Sequence, residues 1–263
     1  MLSITVYGGH DKEGRPENLN LTLHPGDILC IVGPTGAGKS RFLEDLSCLA
    51  QKDTPTGRQI LVDQKVPDTE MRYSLETRMT AQLSQNMNFV MDLSVREFIL
   101  MHGECRAGSD NNPEVLVDRI VASANTLTGE ALSADTPLTQ LSGGQSRSLM
   151  IADTALLSPS PVVLIDELEN AGVDRQKSLD LLVAEDKIVI LSTHDPVLAL
   201  LGEKRLCIRN GAVQAVIETS AAERANAVLL SELNGKFLTL REKLREGKTL
   251  DFDMNEYLYY KGK

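Results

Sequence analysis

The chain has 263 residues, long enough for one large domain or two small ones around a substantial core. Lysine and arginine number 27 against 37 aspartates and glutamates, a formal net charge of −10, which argues against broad electrostatic binding to nucleic acid or an anionic membrane but leaves room for a local basic groove. Tryptophan is absent and aromatic residues make up only 4%, which weakens any case for a base-stacking surface.

At the N-terminus no basic region precedes an apolar run of signal-peptide length, and nowhere does an apolar run approach the roughly 20 residues of a membrane helix. A cytoplasmic location is the expectation. Residues 2–7 alternate apolar and polar, which predicts a strand, and the Gly-rich and charged stretch 8–16 predicts a surface loop. Alternation returns at 19–23, a turn follows at 24–27, and residues 28–32 are continuously apolar, as in a strand buried on both faces. That strand leads into Gly33-Pro34-Thr35-Gly36-Ala37-Gly38-Lys39-Ser40, after which Phe42, Leu43, Leu46 and Leu49 recur at helical spacing. Strands are expected at 59–63 and 80–84. Ser94 is placed to cap a helix that breaks in the polar segment 103–113, and a second helix is expected over 115–127. Leu141-Ser142-Gly143-Gly144 is a turn leading into another helix. Buried strands at 162–165 and 188–191 flank a helix at 176–183, and 206–208 with 213–217 form a hairpin around Asn210-Gly211. Strands alternating with helices imply a parallel α/β core. Beyond it, Ala225, Val228, Leu229, Leu233, Phe237, Leu240 and Leu244 mark an amphipathic helical stretch interrupted by Gly235, and a Tyr-rich tail follows. The four scattered cysteines form no Cys-x-x-Cys and read as reduced thiols.

The segment Gly33 to Ser40 satisfies G-x-x-x-x-G-K-[ST] between a buried strand and an amphipathic helix, the setting that this phosphate-binding motif requires. Its glycines let successive backbone N–H groups converge on phosphate oxygens, and the helix start directs its positive dipole end at them. Lys39 is expected to reach the terminal phosphates and the Ser40 hydroxyl to ligate Mg²⁺, with Arg41 adjoining the cradle. A nucleoside triphosphate is the expected ligand. Asp166 and Glu167 end a buried strand at the sheet edge where ligands bind in open α/β folds. Asp166 is suited to hold Mg²⁺ through its water shell, and Glu167 to orient or deprotonate an attacking water.

Leu141-Ser142-Gly143-Gly144-Gln145 is a second glycine turn at a helix start, where Ser142 acts as a helix cap or bare amides meet phosphate. This pentapeptide, between the phosphate loop and Asp166, resembles the signature motif of ATP-binding cassette (ABC) ATPases, and the resemblance covers about residues 2–217. It implies a P-loop α/β fold with a parallel sheet, an N-terminal antiparallel β subdomain and a helical signature subdomain over about 92–145, followed by a C-terminal helical extension at 218–263. Gln85 resembles the family's Q-loop glutamine, which senses Mg²⁺ and contacts the transport partner. His194, in Ser192-Thr193-His194-Asp195, resembles the switch histidine that contacts the γ-phosphate. Tyr7 is spaced as the adenine-stacking aromatic would be, with His10 competing for that role.

The resemblance further implies ATP and Mg²⁺ as cofactors and hydrolysis of ATP to ADP and phosphate. It also implies a head-to-tail dimer, either a homodimer or a pairing with a similar subunit, in which Ser142, Gly143, Gly144 and Gln145 of one subunit meet the nucleotide of the other. Two functional readings follow. One is the energising subunit of a transporter whose membrane-spanning subunits are separate chains, held at the cytoplasmic face of the membrane. The other is a soluble ATPase that remodels or activates a protein, metalloenzyme or nucleic-acid partner. The chain departs from the family pattern after Glu167, where Leu168-Glu169-Asn170-Ala171-Gly172-Val173-Asp174 is one residue longer than the usual Pro-Thr-Ser-Ala-Leu-Asp. Ser148 and Asp153 also stand where arginine is common, with Arg147 one place before Ser148. The C-terminal stretch reads either as a docking or dimer-regulating extension or as a helix that packs on the core.

Overall fold

The computed structural model describes residues 2–74, 78–84, 89–105, 113–166 and 172–259. Alternation at the N-terminus forms β1 (Ile4–Tyr7) and β2 (Asn20–Leu23), antiparallel with Val6 opposite Leu21. The continuous apolar run is β3 (Ile28–Val32), which turns through the glycine-rich segment into α1 (Lys39–Ser47). β4 (Gln59–Val62) returns to the other side of β1 and completes a three-stranded antiparallel sheet. After α2 (Thr69–Tyr73) and β5 (Thr80–Leu83) come three helices, α3 (Val95–Glu104), α4 (Pro113–Leu127) and α5 (Gly143–Leu156). The chain then alternates through β6 (Val162–Asp166), α6 (Arg175–Ala184), β7 (Ile188–Ser192) and α7 (Pro196–Leu201). The hairpin β8 (Lys204–Arg209) and β9 (Ala212–Glu218) precedes α8 (Ala221–Arg245) and α9 (Met254–Tyr259).

The second sheet runs β5-β6-β7-β3-β8-β9, parallel except for the last pair. Chain order switches sides at β3, because β5, β6 and β7 lie on one flank while β8 lies on the other. The carboxyl edge at such a switch point is where open α/β sheets bind ligands. Successive residues of the central strands go to opposite faces. Leu29, Ile31, Leu164 and Ile190 join Phe42, Leu43 and Leu46 of α1 and the antiparallel sheet in one core, while Cys30, Val163, Ile165 and Leu191 join α5 and α6 in another. Burial on both faces is why these strands are apolar without alternation. A third core unites Val95, Phe98 and Ile99 with Val117, Ile120 and Leu149, holding α3, α4 and α5 as a helical cluster. The expected α/β architecture with an antiparallel sheet, a parallel core and a helical cluster is therefore present.

Some local features differ from the sequence expectation. No interruption occurs at Gly235: α8 is unbroken from Ala221 to Arg245. A Cβ at Gly235 would meet nothing within 4 Å, so the residue sits on an open face. Its cost of roughly 1 kcal/mol in a helix interior is small beside the cooperativity of a 25-residue helix packed on α7. The tail also folds back on this helix: Lys236 Nζ donates to the Leu258 carbonyl at 2.6 Å, and the Lys243 ammonium lies over the rings of Phe252 and Tyr257. The helices α2, α7 and α9 are further additions, each too short to show a period. Each begins behind an aspartate cap, Asp68, Asp195 and Asp253, and α7 adds a proline in its first turn, with the Asp195 carboxylate accepting the Val197 and Leu198 amides.

Candidate functional site

The glycine-rich loop leaves β3 and is braced from below by the β8–β9 hairpin. The Gly211 amide donates to the Ala37 carbonyl at 2.7 Å, and a Cβ on Gly38 would lie 3.0 Å from the Gly211 Cα. Gly38 has φ 110°, a conformation L side chains rarely adopt, so glycine is required there on both counts. Gly38→Ala is expected to lower stability by about 1–3 kcal/mol, read as a reduced urea midpoint with unchanged slope. An unmoved midpoint would contradict this packing account.

Lys39 begins α1 and is buried, its Nζ donating to the carbonyls of Gly33 at 2.9 Å and Pro34 at 3.3 Å. It also lies 3.0 Å from His194 Nε2, within hydrogen-bonding distance of the ring. Ser40, next along the helix, donates to Asp166 Oδ2 at 3.4 Å. These partners converge because β3, β7 and β6 are adjacent in the sheet. The Thr193 amide donates to the Ile31 carbonyl at 3.1 Å, which carries His194 to the mouth of the loop, and Asp166 ends β6 beside it. The residues predicted from 126 and 155 positions apart in sequence therefore meet at one sheet edge.

A hydroxyl and a carboxylate facing each other are hard oxygen donors, which suit Mg²⁺ held by one or two protein oxygens together with substrate phosphates and waters. No group of three or more His, Cys, Asp or Glu able to hold a metal occurs among the described residues, so a cation here needs ligand oxygens as well. Ser192, paired in register with Asp166, is fully buried, and its hydroxyl lacks a hydrogen-bond partner among the described residues. An unmet polar atom beside this oxygen pair fits a hydrated cation. Gln85 and Glu167 lie outside the described residues, as do residues 168–171 of the atypical segment after Glu167.

A cleft of about 910 Å³ adjoins the outer edge of the loop, with Lys12, Arg15, Thr35, Gly36, Arg209 and Asn210 in its lining. Lys12 Nζ donates to the Gly36 carbonyl at 3.0 Å. Neither Tyr7 nor His10 lines this cleft: Tyr7 sits at the end of β1 opposite Asn20 and Gln59, and His10 Nδ1 is hydrogen-bonded to the Asp11 carbonyl. Arg41 pairs with Glu44 along α1 rather than with the loop.

The turn at 141–145 starts α5 with a reciprocal cap. The Gln145 amide donates to Ser142 Oγ at 3.3 Å, and the Ser142 amide donates to Gln145 Oε1 at 2.9 Å. The cap role of Ser142 is thus realised, and it leaves the helix start, with its positive dipole end, exposed at Ser142 and Gly143. Gly144 packs against Gly172, where an added Cβ would lie 2.9 Å from the Gly172 carbonyl oxygen, so Gly172 rests on this turn. The positions that depart from the family pattern are used internally. Ser148 donates to the Gln145 carbonyl at 2.9 Å, and buried Asp153 accepts from His102 Nδ1 at 3.1 Å, tying α5 to α3. Burial pushes the Arg147 pKa down.

One cluster has no counterpart in the sequence reading. Arg58 is fully buried and its guanidinium spans Glu17 (2.8 Å to each oxygen), Asp45 (2.9 Å) and the Gly211 carbonyl (2.8 Å), with the Phe42 ring 4.8 Å away. It links the antiparallel sheet, α1 and the hairpin that braces the loop. The motif and the helical spacing of α1 carry sequence signals; Asp45, on the same helix, carries none.

Fold and site together define an α/β protein of the phosphate-loop class. Residues 16–170 match the sequence profile of the ABC transporter family. The chain is 50% identical over 248 residues to an uncharacterized ABC transporter ATP-binding protein of Methanocaldococcus jannaschii, covering 94% of each chain. The chain belongs to the ABC transporter family. It is also 30% identical over 218 residues to the macrolide export ATP-binding/permease protein MacB of Psychrobacter cryohalolentis, covering 80% of this chain but 32% of that one. The chain thus spans about a third of that exporter. Its fold matches an ATP-binding cassette solved as a dimer in a post-hydrolysis state with ADP and Pi, with a TM-score of 0.58, 22% identity, and coverage of 84% of this chain and 100% of that one.

Proposed function

We propose that the chain binds ATP, hydrolyses it to ADP and phosphate, and energises a membrane transporter as one half of a nucleotide-bridged dimer. The observation that carries this is the convergence of Lys39 and Ser40, at the start of α1, with His194 of the segment after β7 and Asp166 of β6. Phosphates entering the loop meet its backbone amides and take over the Lys39 ammonium from the Gly33 and Pro34 carbonyls, because an anionic oxygen is the stronger acceptor. His194 then contacts the terminal phosphate. Ser40 and Asp166 would hold Mg²⁺, which supplies charge neutralisation across the terminal phosphates. Glu167, next in sequence to Asp166, orients or deprotonates the attacking water, and Gln85 contributes to sensing the cation. The charged cleft beside the loop is the natural seat of the nucleoside.

The turn at 142–145 offers its helix start to the nucleotide of a partner subunit. Charge on the terminal phosphate then bridges amides of both halves, and hydrolysis removes that bridge. Relatives named as a transporter ATP-binding protein and an export ATP-binding/permease protein support the transporter reading. No helix among the described residues is long and apolar enough to cross a membrane. The membrane-spanning part of the proposed transporter is read as separate chains, with this subunit at their cytoplasmic face.

Glu167→Gln is expected to retain ATP-dependent dimerisation, seen as an earlier-eluting species in size-exclusion chromatography, while phosphate release falls by at least about 10²-fold. Undiminished hydrolysis would remove Glu167 from its assigned role. Affinity capture from detergent extracts is expected to recover an integral membrane protein. Recovery of soluble clients alone would favour the remodelling ATPase.

A further inference from the structure

Ser192 closes β7 directly opposite Asp166 of β6 on one side and Ile31 of β3 on the other. Side chains paired in register point to the same face of a sheet. Ser192 therefore lies on the face that packs under α1, where the other residues of that row, Ile188 and Ile190, belong to the aliphatic core with Phe42 and Leu43. The hydroxyl is 0% exposed and has no hydrogen-bond partner among the described residues. An aliphatic side chain would fill this position without an unmet polar atom, so the hydroxyl is costly to the fold. Buried polar groups of this kind are met by ordered water. The spacing of about 4.8 Å between neighbouring strands puts the hydroxyl within a single water's reach of the Asp166 carboxylate, which already receives Ser40.

We propose that Ser192 is a positioning residue for the cation site, its hydroxyl holding a water of the Mg²⁺ hydration shell that Asp166 also binds. This rests on the proposed ATP and Mg²⁺ reading of the same site. It makes the final residue of β7 part of the cation's outer shell while the preceding residues of that row remain core. The other buried side-chain atoms without partners among the described residues, Asp45 Oδ1 and Arg205 Nη1, belong to groups already paired with protein through another atom.

Threonine and valine at position 192 share one shape and differ by the hydroxyl alone, so the pair separates hydrogen bonding from packing. The measurement is the Mg²⁺ concentration that gives half-maximal thermal stabilisation by ATP, with nucleotide binding in EDTA measured alongside. Ser192→Ala and Ser192→Val are expected to raise that midpoint about 5–10-fold, Ser192→Thr to keep it within about twofold, and binding in EDTA to stay equal across the set. Equal midpoints for the threonine and valine variants, or a wild-type midpoint for Ser192→Ala, would overturn the assignment. So would a parallel loss of binding in EDTA, which marks a packing defect. If the unaltered protein bound no ATP at all, the underlying nucleotide reading would fail instead, and that outcome is distinct from unmoved midpoints in a protein that binds.

Discussion

Lys39→Ala is expected to weaken ATP binding by about 10²-fold and to abolish turnover. The ammonium is held by two carbonyls and lies within hydrogen-bonding distance of His194. A charge-assisted hydrogen bond contributes about 1.5–3 kcal/mol, and every 1.4 kcal/mol is tenfold in affinity, so losing the ammonium from the terminal phosphates accounts for that range. The loss should be selective. AMP lacks the oxygens Lys39 would meet, so its affinity is expected to change by less than about threefold while that of ATP falls. Lys39→Arg should not restore binding, because a planar guanidinium cannot occupy a buried position closed by the Gly33 and Pro34 carbonyls as a compact ammonium does. Titration with a fluorescent ATP analogue decides the matter. Unchanged ATP affinity in Lys39→Ala would remove the loop from its assigned role.

Legibility in the sequence tracked how local the physics is. The phosphate loop is contiguous, and its strand-loop-helix setting is written in hydrophobic periodicity, so Gly33 to Ser40 could be read directly. Asp166 and His194 could be read because each follows a buried apolar strand, and the structure brings both to the loop. Ser192 left no trace, since one serine before a threonine and a histidine looks like the start of a loop; only the register with Asp166 and the missing partner distinguish it. Tyr7 shows the converse limit. Sequence spacing fixes its distance from the loop along the chain but not which side of β1 faces the cleft, and Tyr7 is not among the residues that line it. Gly235 misled because helix propensity is a weak local term that the length and packing of α8 override.

The Arg58 cluster was least legible, because its partners lie 41 and 13 residues away with no motif between them, yet it carries the largest expected effect on stability. Arg58→Met is expected to destabilise the fold by about 3–5 kcal/mol in urea titration. The reason is what stays behind. Glu17 and Asp45 have side chains 0% and 1% exposed, and removing the only cation paired with them among the described residues leaves two carboxylates in the core. The Gly9 and Val213 amides on Glu17 and the Thr56 hydroxyl on Asp45 remain as donors, but none carries a charge. If uncompensated charge is the cause, Glu17→Gln and Asp45→Asn added to Arg58→Met should recover more than half of the loss, since the asparagine amide keeps an acceptor oxygen for Thr56 and the glutamine amide keeps one for one of its two backbone donors. If packing of the guanidinium against Phe42 were the cause, the added changes would recover nothing. The cluster also reaches the nucleotide site, because Arg58 holds the Gly211 carbonyl while the Gly211 amide holds Ala37. The triple variant should therefore regain stability while binding ATP several-fold more weakly than the unaltered protein, its hairpin having lost the bond that sets the loop from below. Full recovery of ATP affinity along with stability would show that the brace under the phosphate loop does not depend on Arg58.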